Sequence, residues 1–235
     1  MADGPRKEEP PAEKSPGGSV IHRYGSLKGG RIGITGESAL EFTKAREEVY
    51  QRLLGEPAQV SHEILPQVPH IDVYEYYRSR ADGSKVCVLV TGGMSDLPMN
   101  VPRGADVPRR VELIFYCAGP QQQYIDTMRW LAHFPHNQRT WIGSGHTIPN
   151  GDPPAPFWGS NTLDTVLLMP TIVKNDAALP EELRLDGDPV AFLWVVPLTS
   201  AECKLKLEKG FAAILDLFAQ HRHPHVFDPK RRSYV

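Results

Sequence analysis

The chain has no long apolar run, few cysteines and no excess of either charge. No segment of its 235 residues approaches the roughly 20 apolar residues that a membrane-spanning helix needs, and the first residues are charged and proline-rich, unlike a secretory signal. The three cysteines, Cys87, Cys117 and Cys203, are an odd number, which points to free thiols in a reducing compartment. We therefore expect a soluble cytoplasmic protein that has no membrane partner.

The balance of charge excludes a second class of partner. The chain has 26 basic and 28 acidic residues, which gives a formal net charge of -2. Without a global positive field, we expect no nucleic-acid partner. The glycine-rich segment 28–36 lacks the Gly-Lys-Ser/Thr ending of a phosphate-binding loop, so we expect no cofactor.

Residues 1–19 contain four prolines and no aromatic residue. Such a segment cannot bury enough apolar surface to offset the entropy that it loses on ordering. We expect a disordered N-terminal tail over residues 1–19 and one domain over residues 20–235.

The spacing of apolar residues predicts an α+β fold. Alternating or continuous apolar runs predict strands, and apolar residues repeated every three or four positions predict helices. The predicted strands are Ile71–Arg78, Lys85–Thr91, Arg110–Cys117, Leu163–Met169 and Val190–Leu198. The first two strands should form a hairpin, and the last should lie near the sheet centre until Pro197 stops it. We expect a single mixed, largely antiparallel sheet with helices packed on it.

Three predicted helices begin near Ser38, Gln121 and Thr199. Gly55 should end the first helix, whose charged residues, including Arg46, are expected to be solvated. The capping box Thr199–Glu202 opens what we expect to be the longest helix, with one apolar stripe running on to Phe218.

The richest concentration of functional side chains lies in Trp130–Gly151. This stretch contains two tryptophans and three histidines, and Pro135 is expected to break the helix that leads into it. Irregular connections lie at the surface and carry binding and catalytic residues more often than regular elements do. The stretch is therefore the first place to look for function.

Catalytic schemes for this stretch fail on spacing. The imidazoles of His133, His136 and His146 could bind zinc, but a helical metal pair is typically four residues apart with a glutamate between, and Pro135 separates the first two. The cysteines fall in predicted strands or buried positions, and Ser95 has no strand-to-helix elbow, so no nucleophile is identified. We expect no enzyme activity and no metal, and the alternative is a metal-dependent hydrolase that uses the three histidines.

Two other interpretations of the stretch stay open. In one, the tryptophans fill the core and the histidines satisfy backbone groups of an irregular loop. In the other, the same side chains form a partner-binding surface, because tryptophan, tyrosine and arginine dominate interface hot spots.

Several segments resemble, in order, the Suppressor of fused (SUFU-like) domain in its bacterial, single-domain form. They are Thr91–Met99 (TGGMSDLPM), Glu112–Tyr116 (ELIFY), Trp130–His136 (WLAHFPH), Gly145–Gly151 (GHTIPNG), Leu168–Pro170 (LMP) and the apolar strand before Pro197. The most specific are the Gly-Met-Ser and Gly-His-Thr-Ile-Pro-Asn-Gly parts, and the resemblance extends from Val20 to Ser233. It implies a SUFU-like α/β sandwich that is not an enzyme and works by binding other proteins.

The resemblance also implies the kind of partner. Animal relatives hold a transcription factor in the cytoplasm with the help of a second domain, and bacterial relatives are regarded as immunity proteins that neutralise toxins. We expect a bacterial immunity or regulatory protein that sequesters a protein partner by stoichiometric binding. Its expected contact surface joins the Gly92–Met99 loop to the His133–Gly151 stretch. The expected contact residues are Met94, Ser95, Asp96, His133, His136, Trp141, His146, Thr147 and Asn150.

Overall fold

A mixed sheet with helices on both faces forms the centre of the molecule. The structure is a computed structural model and describes residues 13–24, 37–65, 67–80 and 82–235, so residues 1–12 and the glycine-rich segment 28–36 lie outside it. The elements are β1 (Glu13–Lys14), β2 (Val20–Ile21), α1 (Glu37–Leu54), β3 (Gln59–Ser61), β4 (Asp72–Ser79), β5 (Lys85–Gly92), β6 (Arg110–Cys117), α2 (Gln122–Asn137), β7 (Thr147–Pro149), β8 (Leu163–Pro170), α3 (Leu179–Glu182), β9 (Arg184–Leu185), β10 (Asp188–Thr199), α4 (Ser200–Lys209) and α5 (Phe211–Gln220). Two short 3-10 turns cover Met94–Asp96 and Lys174–Asp176.

The sheet has the strand order β3-β4-β5-β6-β10-β8-β7, and β9 pairs with β10 outside this path. Neighbouring strands are antiparallel except β6 and β10, which run parallel with Leu193 opposite Leu113. The predicted mixed, largely antiparallel sheet is therefore confirmed. The predicted hairpin of β4 and β5 is also confirmed, with Tyr76 opposite Val88, and β10 lies inside the sheet as expected.

Side chains that alternate along the central strands supply two cores. On β6, Leu113 and Phe115 belong to the core on which α2 packs through Met128. Ile114 and Tyr116, the alternate residues, belong to the core on the other face, where α1, α3 and α5 pack. Each fully buried large apolar side chain contributes about 1.5–3 kcal/mol to stability. Because both faces are covered, the central strands carry apolar side chains on both sides.

The predicted end of β10 at Pro197 is wrong. The strand continues to Thr199, with Pro197 opposite Val166 of β8. On its other side, the pairing with β6 ends earlier, at Trp194. A proline is tolerated here because no neighbouring strand needs its missing N–H.

The predicted single C-terminal helix is also wrong, because the segment forms two helices joined at Gly210. This residue has φ 90° and ψ 174°, which a helix cannot accommodate. The capping box at the start of α4 is confirmed, since the Thr199 side chain accepts from the Glu202 N–H and the Glu202 carboxylate accepts from the Thr199 N–H. The longest described helix is α1, with 18 residues, and Gly55 follows it at φ 88°.

The hairpin β1–β2 lies outside the main sheet, with Lys14 opposite Val20. Its turn contacts α4, where the Gly17 N–H donates to the Leu207 carbonyl at 2.7 Å. Residues 13–19, which we expected to belong to a disordered tail, therefore have a described structure. None of the helices in the described ranges is both long and apolar enough to cross a membrane.

Candidate functional site

A buried carboxylate holds the loop that follows β5. Glu112 of β6 is fully buried and accepts hydrogen bonds from the Thr91 hydroxyl at 2.6 Å and the Gly93 N–H at 3.0 Å. Ser95 donates to the same carboxylate through its N–H at 3.0 Å and its hydroxyl at 2.5 Å. Gly93 has φ 113°, and a Cβ there would lie 1.9 Å from the His70 carbonyl oxygen. The Gly-Gly-Met-Ser motif thus fixes the loop to the sheet.

Two buried arginines hold the turn Met94–Asp96. Arg46 of α1 donates to the Asp96 carboxylate at 2.6 Å, and Arg110 of β6 donates to the carbonyl oxygens of Ser95 at 2.7 Å and Asp96 at 3.0 Å. Burial raises the pKa of Asp96 to about 6, while Arg46 acts in the opposite direction. The prediction that Arg46 is solvated is therefore wrong, because its guanidinium pairs with this turn inside the molecule.

The two histidines of α2 have different partners. His133 Nε2 lies 2.7 Å from a carboxylate oxygen of Glu63, and His136 Nε2 donates to the Met94 carbonyl at 3.0 Å. Burial lowers the pKa of His136 to about 4, so its ring is neutral near pH 7. The prediction that Pro135 breaks the helix between them is wrong, since α2 continues to Asn137. In this last turn, the missing N–H of proline removes only one helical hydrogen bond.

Trp141 and His146 form the half-exposed part of the central stretch. Their ring centroids lie 4.4 Å apart. The indole leaves no space for a side chain at Gly143, where a Cβ would lie 2.9 Å from Cζ3 of Trp141. Burial lowers the pKa of His146 to about 4, and the nearby charge of Lys206 lowers it in the same direction. The pair presents a large, neutral aromatic surface.

Hydrogen bonds join the two segments that were predicted to form one surface. The Asn100 N–H donates to the Thr140 carbonyl at 3.1 Å, and the Asn100 side-chain amide donates to the Arg139 carbonyl at 2.8 Å. The Ile142 N–H lies 3.5 Å from the Met99 sulfur. The loop after β5 and the stretch after α2 are therefore adjacent. We define their exposed and half-buried residues as the docking rim, which consists of Leu97, Pro98, Asn100, Arg139, Trp141 and His146.

The nine predicted contact residues fall into two groups. Three are buried and hold the loop and α2 in place: Met94, Ser95 and His133. Six are half-buried: Asp96, His136, Trp141, His146, Thr147 and Asn150. Thr147 is the first residue of β7, and the Asn150 side-chain amide donates to the Ala155 carbonyl at 2.7 Å, which closes the following turn.

The histidines of the hydrolase alternative are not gathered into one site. His133 contacts Glu63, His136 contacts the backbone of Met94, and His146 packs on Trp141. Within the described ranges, no group of three His, Cys, Asp or Glu side chains is arranged to hold a metal ion. The metal-dependent hydrolase therefore has no common site in these three residues.

Comparison with known proteins decides the family. Residues 67–232 match the sequence profile of the Suppressor of fused protein (SUFU) family. The chain belongs to the Suppressor of fused family. This confirms the resemblance seen in the sequence segments. No curated protein matches the chain significantly.

Solved SUFU structures share the fold of this chain. A SUFU homolog from Neisseria gonorrhoeae matches with a TM-score of 0.62 at 16% identity, over 83% of this chain and 98% of its own. A chain of the Sufu-Fu complex matches at 0.53 and 13% identity, over 84% and 92%. Drosophila Suppressor of Fused matches at 0.54 and 12% identity, over 84% of this chain and 51% of its own, so this chain corresponds to about half of that protein.

Three residues that hold the candidate site in place escaped the sequence predictions: Arg46, Glu63 and Glu112. A signal existed for Glu112, because a lone carboxylate within an apolar strand is costly to bury unless it is fully hydrogen-bonded. Arg46 and Glu63 gave no such signal, since their partners lie 50 and 70 residues away in the sequence. Both also precede residue 67, where the match to the SUFU family begins.

Proposed function

We propose that this chain is a non-enzymatic protein-binding domain that holds one protein partner at a fixed ratio on the docking rim. Membership of the SUFU family supports a role in protein binding. The fold that this chain shares with a chain of the Sufu-Fu complex supports it further, because that chain was solved as part of a complex.

The observation that carries the proposal is the rigid base beneath the rim. The loop that bears Leu97 and Pro98 is tied to the sheet through the three hydrogen bonds that Glu112 accepts from Gly93 and Ser95. Leu97 is 37% exposed in spite of this anchoring. A surface that is already ordered loses less conformational entropy on binding, so more of its contact energy contributes to affinity.

The composition of the rim fits a protein interface. Trp141 and Arg139 are residue types that dominate hot spots, and His146 extends the aromatic surface of Trp141. Of the predicted contact residues, we assign direct contact to Trp141 and His146 within the rim and to Thr147 and Asn150 beside it. Met94, Ser95 and His133 act by positioning the rim, because they are buried.

The net charge and two sequence segments support a protein as the partner. The formal net charge of -2 gives no reason for nucleic acid to bind. We propose a cytoplasmic role in which the chain, as a bacterial immunity or regulatory protein, sequesters a toxin or another regulated protein. The resemblance of the Gly92–Met99 and Gly145–Gly151 segments to the bacterial single-domain form supports this finer assignment.

Affinity capture with matched variants tests the rim. The purified chain and its Trp141→Ala, His146→Ala and Ile172→Ala variants are used as baits, after melting curves show that each is folded. Ile172 is 60% exposed and lies outside the rim, so it controls for the loss of an exposed apolar side chain. We expect the two rim variants to lose a partner that wild type and Ile172→Ala retain. Equal recovery by all four baits would show that the rim is not the binding surface.

A further inference from the structure

The N-terminal hairpin docks on the joint between α4 and α5. The helix break at Gly210 leaves the Leu207 carbonyl without a helical partner, and Gly17 donates to it at 2.7 Å. The approach is so close that a Cβ at Gly17 would lie 2.3 Å from the Gly210 nitrogen and 2.8 Å from the Leu207 oxygen. Only glycine fits at this position of the hairpin turn.

The other end of the same segment reaches the docking rim. The Tyr24 hydroxyl lies 2.8 Å from the Thr140 hydroxyl, and the Tyr24 ring packs edge-on against Phe134 with centroids 5.2 Å apart. His22 lies beside Tyr24 and close enough to His146 for its charge to lower the pKa of that residue further. Residues 13–24, which we call the strap, therefore run along the edge of the rim.

The strap is held by few contacts. Tyr24 is 40% exposed and Val20 is 45% exposed. The ion pair between Arg23 and Glu13 is solvent-exposed, so it contributes little to holding the strap in place. The strap also lies outside residues 67–232, whereas its contact residues Phe134, Thr140, Leu207 and Gly210 lie inside this family match. The residues that the strap contacts thus belong to the part of the chain that matches the family profile.

We propose that the seat formed by Phe134, Thr140, Leu207 and Gly210 binds an extended peptide segment of the partner, and that the strap occupies this seat until the partner displaces it. The strap shows the chemistry that the seat accepts. A glycine fits against Gly210, and a tyrosine seven residues later packs on Phe134 and bonds to Thr140. This inference rests on the proposed function, because it extends the partner's contacts from the docking rim to the seat beside it.

Tethering explains why the strap can hold the seat with so few contacts. A segment joined to its site by a short linker has an effective concentration of about 1 mM. A free peptide of the same sequence must compete with this concentration, so wild type should bind such a peptide weakly. Release of the strap should raise the affinity for the peptide without any change in the seat.

The test uses a labelled synthetic peptide with the sequence of residues 13–24, EKSPGGSVIHRY. Its binding to the full-length chain is measured by fluorescence anisotropy for wild type, Gly17→Val and Gly18→Asn. Valine at Gly17 would collide with Gly210, whereas a Cβ at Gly18 meets no atom within 4 Å and asparagine tolerates its φ of +82°. We expect Gly17→Val to bind the peptide at least about tenfold more tightly than wild type or Gly18→Asn.

A second peptide, carrying the same Gly17→Val change, controls for non-specific binding and should bind none of the chains. Hydrogen exchange provides an independent readout, since Gly17→Val should lose protection in residues 13–24 and keep it in α4. Equal affinity of wild type and Gly17→Val for the first peptide, or equal binding of the two peptides, would overturn the strap inference alone. Equal recovery of the partner by the wild-type, Trp141→Ala, His146→Ala and Ile172→Ala baits would instead overturn the proposed function.

Discussion

The Ser95 hydroxyl donates to the Glu112 carboxylate at 2.5 Å, in a fully buried contact between residues 17 positions apart. The Ser95 N–H bonds to the same oxygen. Through this contact, the loop that carries the exposed Leu97 becomes an extension of the sheet. The shape of the docking rim therefore depends on side chains that no partner can touch.

Replacement of this carboxylate tests the anchoring directly. We expect Glu112→Gln to lower the free energy of unfolding by about 3–5 kcal/mol. The change removes a negative charge that pairs with the buried Arg46. It also places an amide NH2 group, which cannot accept hydrogen bonds, next to N–H and O–H donors. Urea denaturation measures the loss. The exposed Glu48 of α1 provides the control, since Glu48→Gln should change stability by less than about 0.5 kcal/mol. Equal stability of the two variants would mean that Glu112 does not anchor the loop.

Gly93 should be less replaceable than another glycine with positive φ. A Cβ at Gly93 would overlap the His70 carbonyl oxygen, whereas a Cβ at Gly104, whose φ is +78°, meets no atom within 4 Å. We expect Gly104→Ala to cost about 1–2 kcal/mol from backbone strain alone. Gly93→Ala should cost at least about 2 kcal/mol more, since it adds a collision to strain of similar size. The difference between their thermal unfolding free energies isolates the close approach, and a difference near zero would rule it out.

The local spacing of apolar residues predicted much of the fold but less of the candidate site. The hairpin of β4 and β5 and the strand β6 follow from apolar periodicity, which depends only on neighbouring residues. The helix ends did not follow from local pattern. Pro135 was expected to break α2 but lies inside it, and Gly210 was not expected to break a helix but divides the C-terminal segment into α4 and α5. Arg46 shows the main limit, because its burial depends on Asp96, 50 residues away, and no pattern within α1 records that pairing.

Stability should fall as the solution is acidified below neutral pH. Burial lowers the pKa of His136, His146 and His223 to about 4 in the folded chain, against about 6.5 in an unfolded chain. Between these pH values the unfolded state binds more protons, so the free energy of unfolding decreases as pH falls from about 6.5 to 4. Asp96, whose pKa is raised to about 6, binds its proton first in the folded state and acts in the opposite sense.

Urea denaturation at a series of pH values between about 4 and 7 measures how the free energy of unfolding depends on pH. The double variant His136→Asn/His146→Asn should show a shallower pH dependence than wild type, because two of the three histidines whose pKa is lowered to about 4 are gone. Asp96→Asn should show a steeper one, because the opposing carboxyl is removed. If all three chains have the same pH dependence, these groups do not govern acid stability.

The central claim is that the chain acts by stoichiometric binding, and titration of a captured partner tests it most directly. Isothermal titration calorimetry of the purified pair, with the partner's concentration and integrity checked before and after, measures the molar ratio at saturation. The account predicts saturation at a fixed ratio with the partner chemically unchanged, and a Trp141→Ala chain that binds more weakly. Processing or inactivation of excess partner by a catalytic amount of the chain would contradict it.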